Sequence, residues 1–373
     1  MMIHALDEYP LHQTGLPITQ TVDGDPNRYD RYFFHGYVPT ANLIFVVALG
    51  IYPNRQIVDG ALCVSHGGRQ RSVFASGRMT TDRATRVGPI TVEVVEPLRR
   101  LRVTVGAPDQ GLRADLIFDA ITVVMQEPRQ TMFDRTRLIM DTCRYTQFGR
   151  WEGSLTSGDD EWTLNNDACF GTRDRSWGVR PLSGAVPAAP PTEVTGIWWL
   201  WTPLQLDDGR CLHAAVEEGS DGARKLQAAA ILQPIGDHAA NDDAVIEHLR
   251  TVDYEVTWEP GTRRARHLDL TLQRLTGERV EVHLEPQARV HMRGAGYTHL
   301  EWGHGTWHGE SEVGGEELIH DALAGTDFTA LHVQQLVRVT GDLAGWGMAE
   351  QLAIGEHAPT GLTGFLDPAS GRR

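Results

Sequence analysis

The feature that most constrains the fold is a series of short β-type segments, which recur at near-even spacing along the whole chain. Residues 43–52 form a nearly uninterrupted apolar run, and Pro, Gly or Asn turns close this segment and its neighbours. Segments 98–106 and 112–124 instead alternate apolar with polar residues, as half-exposed strands do. Only residues 314–323 and 331–339 have room for a helix, and the second is equally compatible with a strand. The pattern therefore predicts an all-β chain built from antiparallel barrels or sandwiches.

The chain divides into two β-rich halves of similar size. Between them, residues 183–192 are rich in Pro and Ala, a composition that does not favour regular structure. A length of 373 residues also fits two to three domains. We therefore predict two β domains, residues 1–187 and residues 188–373, joined within this stretch.

Charge and motif content narrow the partners. The net charge is −15 and the acidic residues are scattered, which argues against binding to nucleic acid or to an anionic lipid surface. The first residues lack the basic and apolar regions of a signal peptide, and no apolar stretch approaches the ~18 residues of a membrane span. We therefore expect a cytoplasmic protein without a membrane span, whose four cysteines are reduced and mostly buried. Motifs of nucleotide-binding loops and of the hydrolase nucleophile elbow are absent from the sequence.

Residues 170–180 carry the most unusual charge cluster, with three arginines, one aspartate and one tryptophan just before the expected linker. Asp174 lies between Arg173 and Arg175, an arrangement that normally favours the ionised carboxylate. A buried Asp174 would be either the hub of a structural ion-pair network or a working acid. Trp177, taken alone, is better explained as a core or junction residue than as part of a site.

Two apolar segments of the second half supply further candidates. Residues 195–206 form the most apolar predicted strand, with Trp199 and Trp201 on the same face. Residues 341–351 are predicted to close the sheet, in a position from which Glu350 could face a pocket.

A short stretch combines His299, His304 and His308 with aromatic residues and glycines. The spacing of these histidines does not match a helical metal motif, and no cysteine or carboxylate completes a familiar ligand set. We therefore expect no metal, and a metal-dependent enzyme that uses these three histidines stays as a less favoured alternative. Two interpretations stay open. One is a wall of imidazole and indole groups around an apolar pocket, including Tyr297 and Trp302; the other is a β-hairpin with cross-strand aromatic pairs.

The segment Arg173-Asp174-Arg175-Ser176-Trp177-Gly178 resembles the Asp-His-x-Trp-Gly motif of the carotenoid 1,2-hydratase (hydroxyneurosporene synthase) and kievitone hydratase group. Residues 345–350 and 355–357, the overall length, the two β halves and the mid-chain position of the motif are also similar to that group. The group belongs to a superfamily of proteins built from two lipocalin-like barrels. The resemblance therefore implies two lipocalin-like antiparallel β-barrel domains in tandem.

The resemblance also implies a reaction, the cofactor-free addition of water to an isolated C=C bond. An acid, supplied or oriented by Asp174, would protonate the less substituted carbon, and aromatic walls would shelter the resulting carbocation. Trp177, Trp199 and Trp201 are the implied walls. The family's histidine is replaced by Arg175, which stays charged and cannot shuttle a proton. Arg175 could instead bind a carboxylate or phosphate of the substrate, so isomerisation, cyclisation and ligand carriage stay open.

These observations define the predicted site and its partners. The predicted catalytic residues are Asp174, Arg175 and Trp177. The predicted substrate-binding residues are Arg173, Trp199, Trp201, Tyr297, Trp302, His304 and Glu350. We expect a lyase or isomerase of the hydratase type that acts on an apolar isoprenoid, polyketide or steroid-like substrate without cofactor or metal. The alternative is a non-catalytic lipocalin-like protein that binds a hydrophobic small molecule, and a homodimer is left open in both cases.

Overall fold

The structure is a computed structural model that describes residues 21–81, 83–183 and 196–369. These residues form two antiparallel sheets, which confirms the predicted all-β fold of lipocalin-like barrels. The predicted boundary between residues 187 and 188 lies outside the described residues, so the division at that point stays a prediction. All four cysteines are buried, as predicted. Within the described ranges, no helix has the length and apolar character needed to cross a membrane.

The first sheet contains fourteen strands, counted over the described part of the chain. Its strands are β1 (Arg28–Val38), β2 (Leu43–Tyr52), β3 (Ile57–His66), β4 (Arg69–Arg78), β5 (Arg86–Val87), β6 (Ile90–Glu96), β7 (Arg100–Ala107), β8 (Leu112–Ala120), β9 (Met125–Gln126), β10 (Gln130–Asp134), β11 (Arg137–Ser157), β12 (Asp160–Leu164), β13 (Phe170–Val179) and β20 (Ser311–Ile319). Their order in space is β20-β4-β3-β2-β1-β13-β11-β8-β7-β6-β5, and β9, β10 and β12 also pair with β11. The sheet curls until Val87 and Ile90 lie against Gly60 on β3, and it encloses an aromatic and aliphatic core.

The second sheet closes into a barrel of eight strands within the residues described. Its strands are β14 (Gly196–Leu206), β15 (Cys211–Glu218), β16 (Arg224–Leu232), β17 (Ile246–Trp258), β18 (Ala265–Arg274), β19 (Arg279–His291), β21 (Val333–Gly341) and β22 (Gly345–Gly355). Consecutive strands of this series pair, and β22 pairs with β14 to close the ring. Short 3-10 helices lie at Pro39–Ala41, Pro108–Gln110, Asp243–Val245, Met292–Ala295, His320–Ala322, Phe328–Ala330 and Ala358–Thr360.

One strand from the second half of the chain joins the first sheet. β20 pairs with β4 over its whole length, with Ser311 opposite Gly77. Residues 314–323, which had room for a helix, therefore form the end of a strand and a short 3-10 turn. Residues 331–339 adopt the strand alternative, since residues 333–339 form most of β21. By pairing with β4, β20 satisfies backbone groups that would otherwise form an open sheet edge.

The two sheets pack against each other through a buried layer that includes β1 and β2. On β1, Tyr32 and Phe34 point into the core of the first sheet, whereas Phe33 and Tyr37 pack in the layer between the sheets. Every residue of β2 is buried. Burial on both faces explains why residues 43–52 show an apolar run without the alternation of a half-exposed strand.

Candidate active site

Strand β13 carries the predicted catalytic motif and lies between β1 and β11 in the first sheet. Asp174 is opposite Phe33 of β1, whose ring packs in the layer between the sheets. Because side chains alternate along a strand, Asp174 points towards the second sheet, whereas Arg173 and Arg175 point into the first. The alternation therefore separates the aspartate of the motif from the two arginines beside it.

The Asp174 carboxyl group lies in a cavity of about 90 Å³, the acid recess, whose lining also includes Tyr29, Arg144, Arg180 and Tyr297. Asp174 is half-buried, and no hydrogen bond or ion pair joins its carboxyl group to another described residue. Burial raises the pKa of Asp174 to about 6, although the nearby charge of Arg144 opposes the rise. A carboxyl group with this pKa is partly protonated near neutral pH, as a general acid requires.

A larger cavity of about 350 Å³, the apolar cavity, adjoins the acid recess. The residues that line both spaces are Gln130, Met140, Arg144, Arg180 and Tyr297. The other apolar residues of its wall include Met132, Ile139, Ile197, Trp199 and Leu352. A volume of this order suits a small organic ligand. A ligand in the apolar cavity would therefore lie next to the Asp174 carboxyl group.

A third cavity of about 700 Å³ lies on the other side of Glu127, between β9, β16 and β17. It shares Glu127 and Pro128 with the acid recess, but Asp174 is not part of its lining. Arg129, Asp243 and His248 make its wall more polar. The smaller apolar cavity is the better candidate site, because it adjoins the unpaired acid.

Glu127 lies beside the acid recess and has hydrogen-bond donors on both oxygens. Arg144 Nε donates to Oε2 at 2.8 Å, and Thr146 Oγ1 donates to Oε1 at 2.7 Å. Trp201 Nε1 also donates to Oε1, at 3.3 Å. Burial alone would raise the pKa of Glu127, but the Arg144 charge and these bonds outweigh it and lower the pKa. Glu127 therefore stays ionised and fixes the position of Arg144.

Glu350 on β22 lines the apolar cavity and is held by three neighbours. Trp199 Nε1 donates to Oε1 at 2.9 Å, His332 Nε2 lies 2.9 Å from the same oxygen, and Gln334 Nε2 donates to Oε2 at 2.5 Å. Burial favours the neutral acid, but these bonds outweigh it and lower the pKa of Glu350 to about 2. Glu350 is thus an ionised acceptor that orients the indole of Trp199.

Two arginines near the acid recess share one histidine. Arg31 Nη1 and Arg180 Nη2 each lie 2.9 Å from His304 Nδ1, and His304 Nε2 lies 2.9 Å from the Ala295 carbonyl oxygen. Nδ1 must accept from the guanidinium groups, so Nε2 carries the proton and donates to the carbonyl. Burial, reinforced by the two arginine charges, lowers the pKa of His304 well below its usual value. A neutral His304 therefore orients both arginines, while its ring centroid lies 4.5 Å from that of Tyr297.

Three of the predicted site residues lie on the opposite face of β13 from Asp174. Arg175 is fully buried, pairs with Asp30 and reaches neither cavity described above. Arg173 and Trp177 both contact Tyr145, which is buried in the first sheet. The reason is strand parity, because residues 173, 175 and 177 share one face.

The remaining predicted residues fall into two groups. Trp199, Tyr297 and Glu350 line the apolar cavity together. Trp201 lies deeper between the sheets, and Trp302 lines a separate space of only about 10 Å³. The structure thus brings Asp174 together with Trp199, Tyr297 and Glu350, with His304 bonded to Arg180 beside them.

Several residues of this region were not among the predicted site residues: Arg31, Glu127, Arg144, Arg180 and His332. Arg144 joins the site because β11 pairs with β13, which places Thr146 opposite Asp174. His332 joins it because β21 and β22 are neighbours in the barrel. These contacts depend on the order of strands in the sheets, which no local sequence pattern predicts.

One group of three metal-type ligands occurs among the residues described. It consists of His267, Asp269 and His283, half-buried on β18 and β19, whose ligand atoms all lie within 4.8 Å of one another. The three histidines between residues 299 and 308 form no such group in that part of the chain. The apolar cavity is therefore not arranged around a histidine cluster.

The fold is shared with two solved structures at low sequence identity. Kievitone hydratase from Nectria haematococca gives a TM-score of 0.54 at 14% identity, covering 95% of this chain and 94% of that chain. A candidate AttH from Nitrosomonas europaea gives a TM-score of 0.55 at 16% identity, covering 87% of this chain and 92% of that chain. These similarities confirm the fold predicted from the resemblance, lipocalin-like antiparallel β-barrels in tandem.

The sequence comparisons place the chain more narrowly. Residues 3–363 match the sequence model of a family described as "Family of unknown function (DUF8625)". The match covers most of the chain, so the protein belongs to this family. None of the curated protein sequences compared with the chain matches it.

Proposed function

We propose that the protein is an acid catalyst of the hydratase or isomerase type, acting on an apolar small molecule bound between the two sheets. The observation that carries the proposal is the unpaired Asp174 carboxyl group, which adjoins an apolar cavity of about 350 Å³. Partial desolvation of a carboxylate that bonds to no other described residue is costly, and such groups are typical of functional sites. The similarity of fold to a solved kievitone hydratase agrees with this class of reaction.

The division of roles follows from the pKa values of the three acids. Asp174 titrates near pH 6 and can hold a transferable proton, whereas Glu350, with a pKa of about 2, cannot. Glu127 is committed to Arg144. When neighbouring carboxyl groups have pKa values this far apart, the group with the high pKa can act as an acid, and those with low pKa values stay ionised. Asp174 is therefore the proton donor.

The reaction would begin when the Asp174 O–H gives its proton to one carbon of a C=C bond. The π electrons form the new C–H bond, and the second carbon becomes a carbocation beside the aromatic rings of Trp199 and Tyr297. In a hydration, water adds to this carbon and returns a proton to the Asp174 carboxylate. In an isomerisation, the carboxylate removes a proton from a neighbouring carbon instead. Both routes regenerate the acid and need no cofactor.

The substrate class follows from the cavity. Its walls combine methionine, isoleucine and leucine side chains with one indole and one phenol ring, which suit an isoprenoid, polyketide or steroid-like body. A purely carrying role would have no use for an acid held without a partner. That contrast favours catalysis over the alternative of a non-catalytic binding protein.

Solvent labelling tests the proposal. The purified protein is incubated in D₂O with a panel of prenylated and polyketide alkenes, and products are analysed by mass spectrometry. Hydration adds one D₂O, of which one deuterium is bound to carbon, whereas isomerisation replaces one hydrogen by deuterium and adds no water. Asp174→Asn should lower the rate of labelling by at least ~10³-fold, because an amide cannot donate the proton.

The matched control is Asp119→Asn. Asp119 also has a pKa raised by burial, but it pairs with Arg100 and lines neither cavity. We expect its labelling rate to equal that of the unmodified protein. Full activity of a folded Asp174→Asn protein would refute the assignment of Asp174 as the acid.

A further inference from the structure

Arg180 lines both the acid recess and the apolar cavity, yet no described carboxylate pairs with it. Among the described residues, no carboxylate lies within the 4.0 Å of an ion pair with its guanidinium group. Its Nε is buried without a hydrogen-bond partner, and its Nη2 contacts the neutral His304. Its other close neighbours are phenol groups, with its Cζ 4.8 Å from the ring of Tyr29 and 5.6 Å from that of Tyr297.

Among the described residues, Arg31 of β1 likewise bonds His304 and has no carboxylate partner, but only Arg180 of the two lines the apolar cavity. Two other arginines of the first sheet do have carboxylate partners. Arg144 pairs with Glu127, and Arg175 pairs with Asp30. The Asp59 carboxylate, on which the charge of Arg180 acts, accepts hydrogen bonds from Tyr52 and from the Gly305 amide instead. Arg180 is half-buried. A partly desolvated guanidinium group without a countercharge is unfavourable by itself, and it becomes favourable when a ligand supplies the anion.

We propose that Arg180 binds an anionic oxygen, such as a carboxylate, enolate or phenolate, on an otherwise apolar ligand in the apolar cavity. The ligand body would then lie against Met140 and Trp199, with its anionic end at the mouth of the acid recess. The planar guanidinium group can donate two hydrogen bonds to such an oxygen group. The identity of this ligand as the substrate rests on the proposed function, but the binding itself does not.

Binding at Arg180 also has a consequence for the acid. The positive charges of Arg144 and Arg31 favour the ionised form of Asp174, and the negative charges of Glu127 and Glu350 favour the neutral form. An anion brought into the same region adds to the second effect and shifts Asp174 towards its protonated state. The substrate's own charge would thus help to load the proton that the reaction uses.

A pair of fluorescent probes separates charge from shape. The probe 1-anilinonaphthalene-8-sulfonate carries an anionic group, and N-phenyl-1-naphthylamine has the same aromatic body without it. Both are titrated into the full chain and into Arg180→Gln and Arg180→Lys proteins. Arg180→Gln should weaken binding of the sulfonate probe by about tenfold or more and leave the neutral probe within about twofold. Arg180→Lys should restore part of the loss, because the charge remains.

Lys225 provides the matched control, because it lines the same cavity but is exposed. Lys225→Gln should weaken the sulfonate probe much less than Arg180→Gln does. Equal losses in both variants, or an unchanged probe preference in Arg180→Gln, would overturn the proposal. Retained binding of the neutral probe shows that the variant still folds.

The outcome is distinguishable from a failure of the proposed function. If Asp174→Asn keeps full turnover while Arg180→Gln loses its preference for the anionic probe, acid catalysis fails and the anion site stands. If Asp174→Asn loses turnover and Arg180→Gln keeps the preference, the reverse holds.

Discussion

Glu127 and Asp174 line the same recess, but the protein surrounds the two carboxyl groups in opposite ways. Glu127 receives hydrogen bonds from Arg144, Thr146 and Trp201, and its pKa is lowered despite its burial. Asp174 receives none among the residues described, and burial raises its pKa to about 6. Groups that stabilise a fold are satisfied, whereas groups kept for chemistry are often left unsatisfied. The comparison therefore supports the proposed division of roles, in which Glu127 is structural and Asp174 is catalytic.

The largest loss of stability should follow from a substitution of Glu127, the carboxylate with hydrogen-bond donors on both oxygens. Glu127→Gln leaves the Arg144 charge without its partner and puts an amide where an acceptor is needed. Removal of one partner from a buried ion pair typically costs ~3–5 kcal/mol, and we expect the lower end because Arg144 is partly exposed. Urea denaturation at pH 7 measures this loss. Glu152→Gln is the control, since Glu152 pairs with Arg100 on the surface and should matter little. Equal stabilities of the two variants would contradict the structural role of Glu127.

Asp174→Asn should act in the opposite direction. The pKa of Asp174 is raised from 3.8 to about 6 on folding, so above pH 6 the folded state carries the cost of an ionised buried carboxylate. The asparagine variant avoids this cost, and we expect it to be more stable at pH 7 by up to roughly 3 kcal/mol. A loss of stability in this variant would mean that Asp174 has a structural partner.

The stability difference between Asp174→Asn and the unmodified protein should also depend on pH. Below about pH 4, Asp174 is protonated in both states, and the variant should have no advantage. Between about pH 4 and pH 6 the advantage of Asp174→Asn should grow, and above pH 6 it should level off. Buried histidines such as His35 and His213 also titrate in acid, with pKa values lowered to about 3 and 4 by burial. They are present in both proteins, so the difference between the two unfolding free energies isolates Asp174.

Much of the fold follows from the sequence, because strand alternation is a local property. The alternation in 98–106 predicts β7, and the unbroken apolar run in 43–52 predicts a strand buried on both faces. The path of β20 does not follow in this way. Its pairing with β4 joins residues more than 200 positions apart, and the local sequence of neither strand predicts this pairing.

The site could be predicted only where one residue carries the signal. Asp174 is conspicuous because arginines flank it, and strand parity then separates it from both of them. Arg175 could not be placed from the sequence, since its partner Asp30 lies on another strand. Glu127 and Arg144 likewise acquire their roles through the pairing of β9 with β11. Motif analysis thus singles out Asp174, and sheet register determines which residues surround it.

The smallest change in stability is expected at Glu350, a third carboxylate that, like Glu127, is hydrogen-bonded to several neighbours. Trp199→Phe removes one of its three donors and leaves those from His332 and Gln334. We expect a loss of about 1 kcal/mol in unfolding free energy, because the remaining bonds keep Glu350 ionised. Trp162→Phe is the control for ring size, since its indole N–H bonds to no described residue. If the two variants lose equal stability, the bond to Glu350 contributes nothing. If Trp199→Phe instead costs as much as Glu127→Gln, the bonds from His332 and Gln334 do not compensate for the lost indole bond, and Glu350 depends mainly on Trp199.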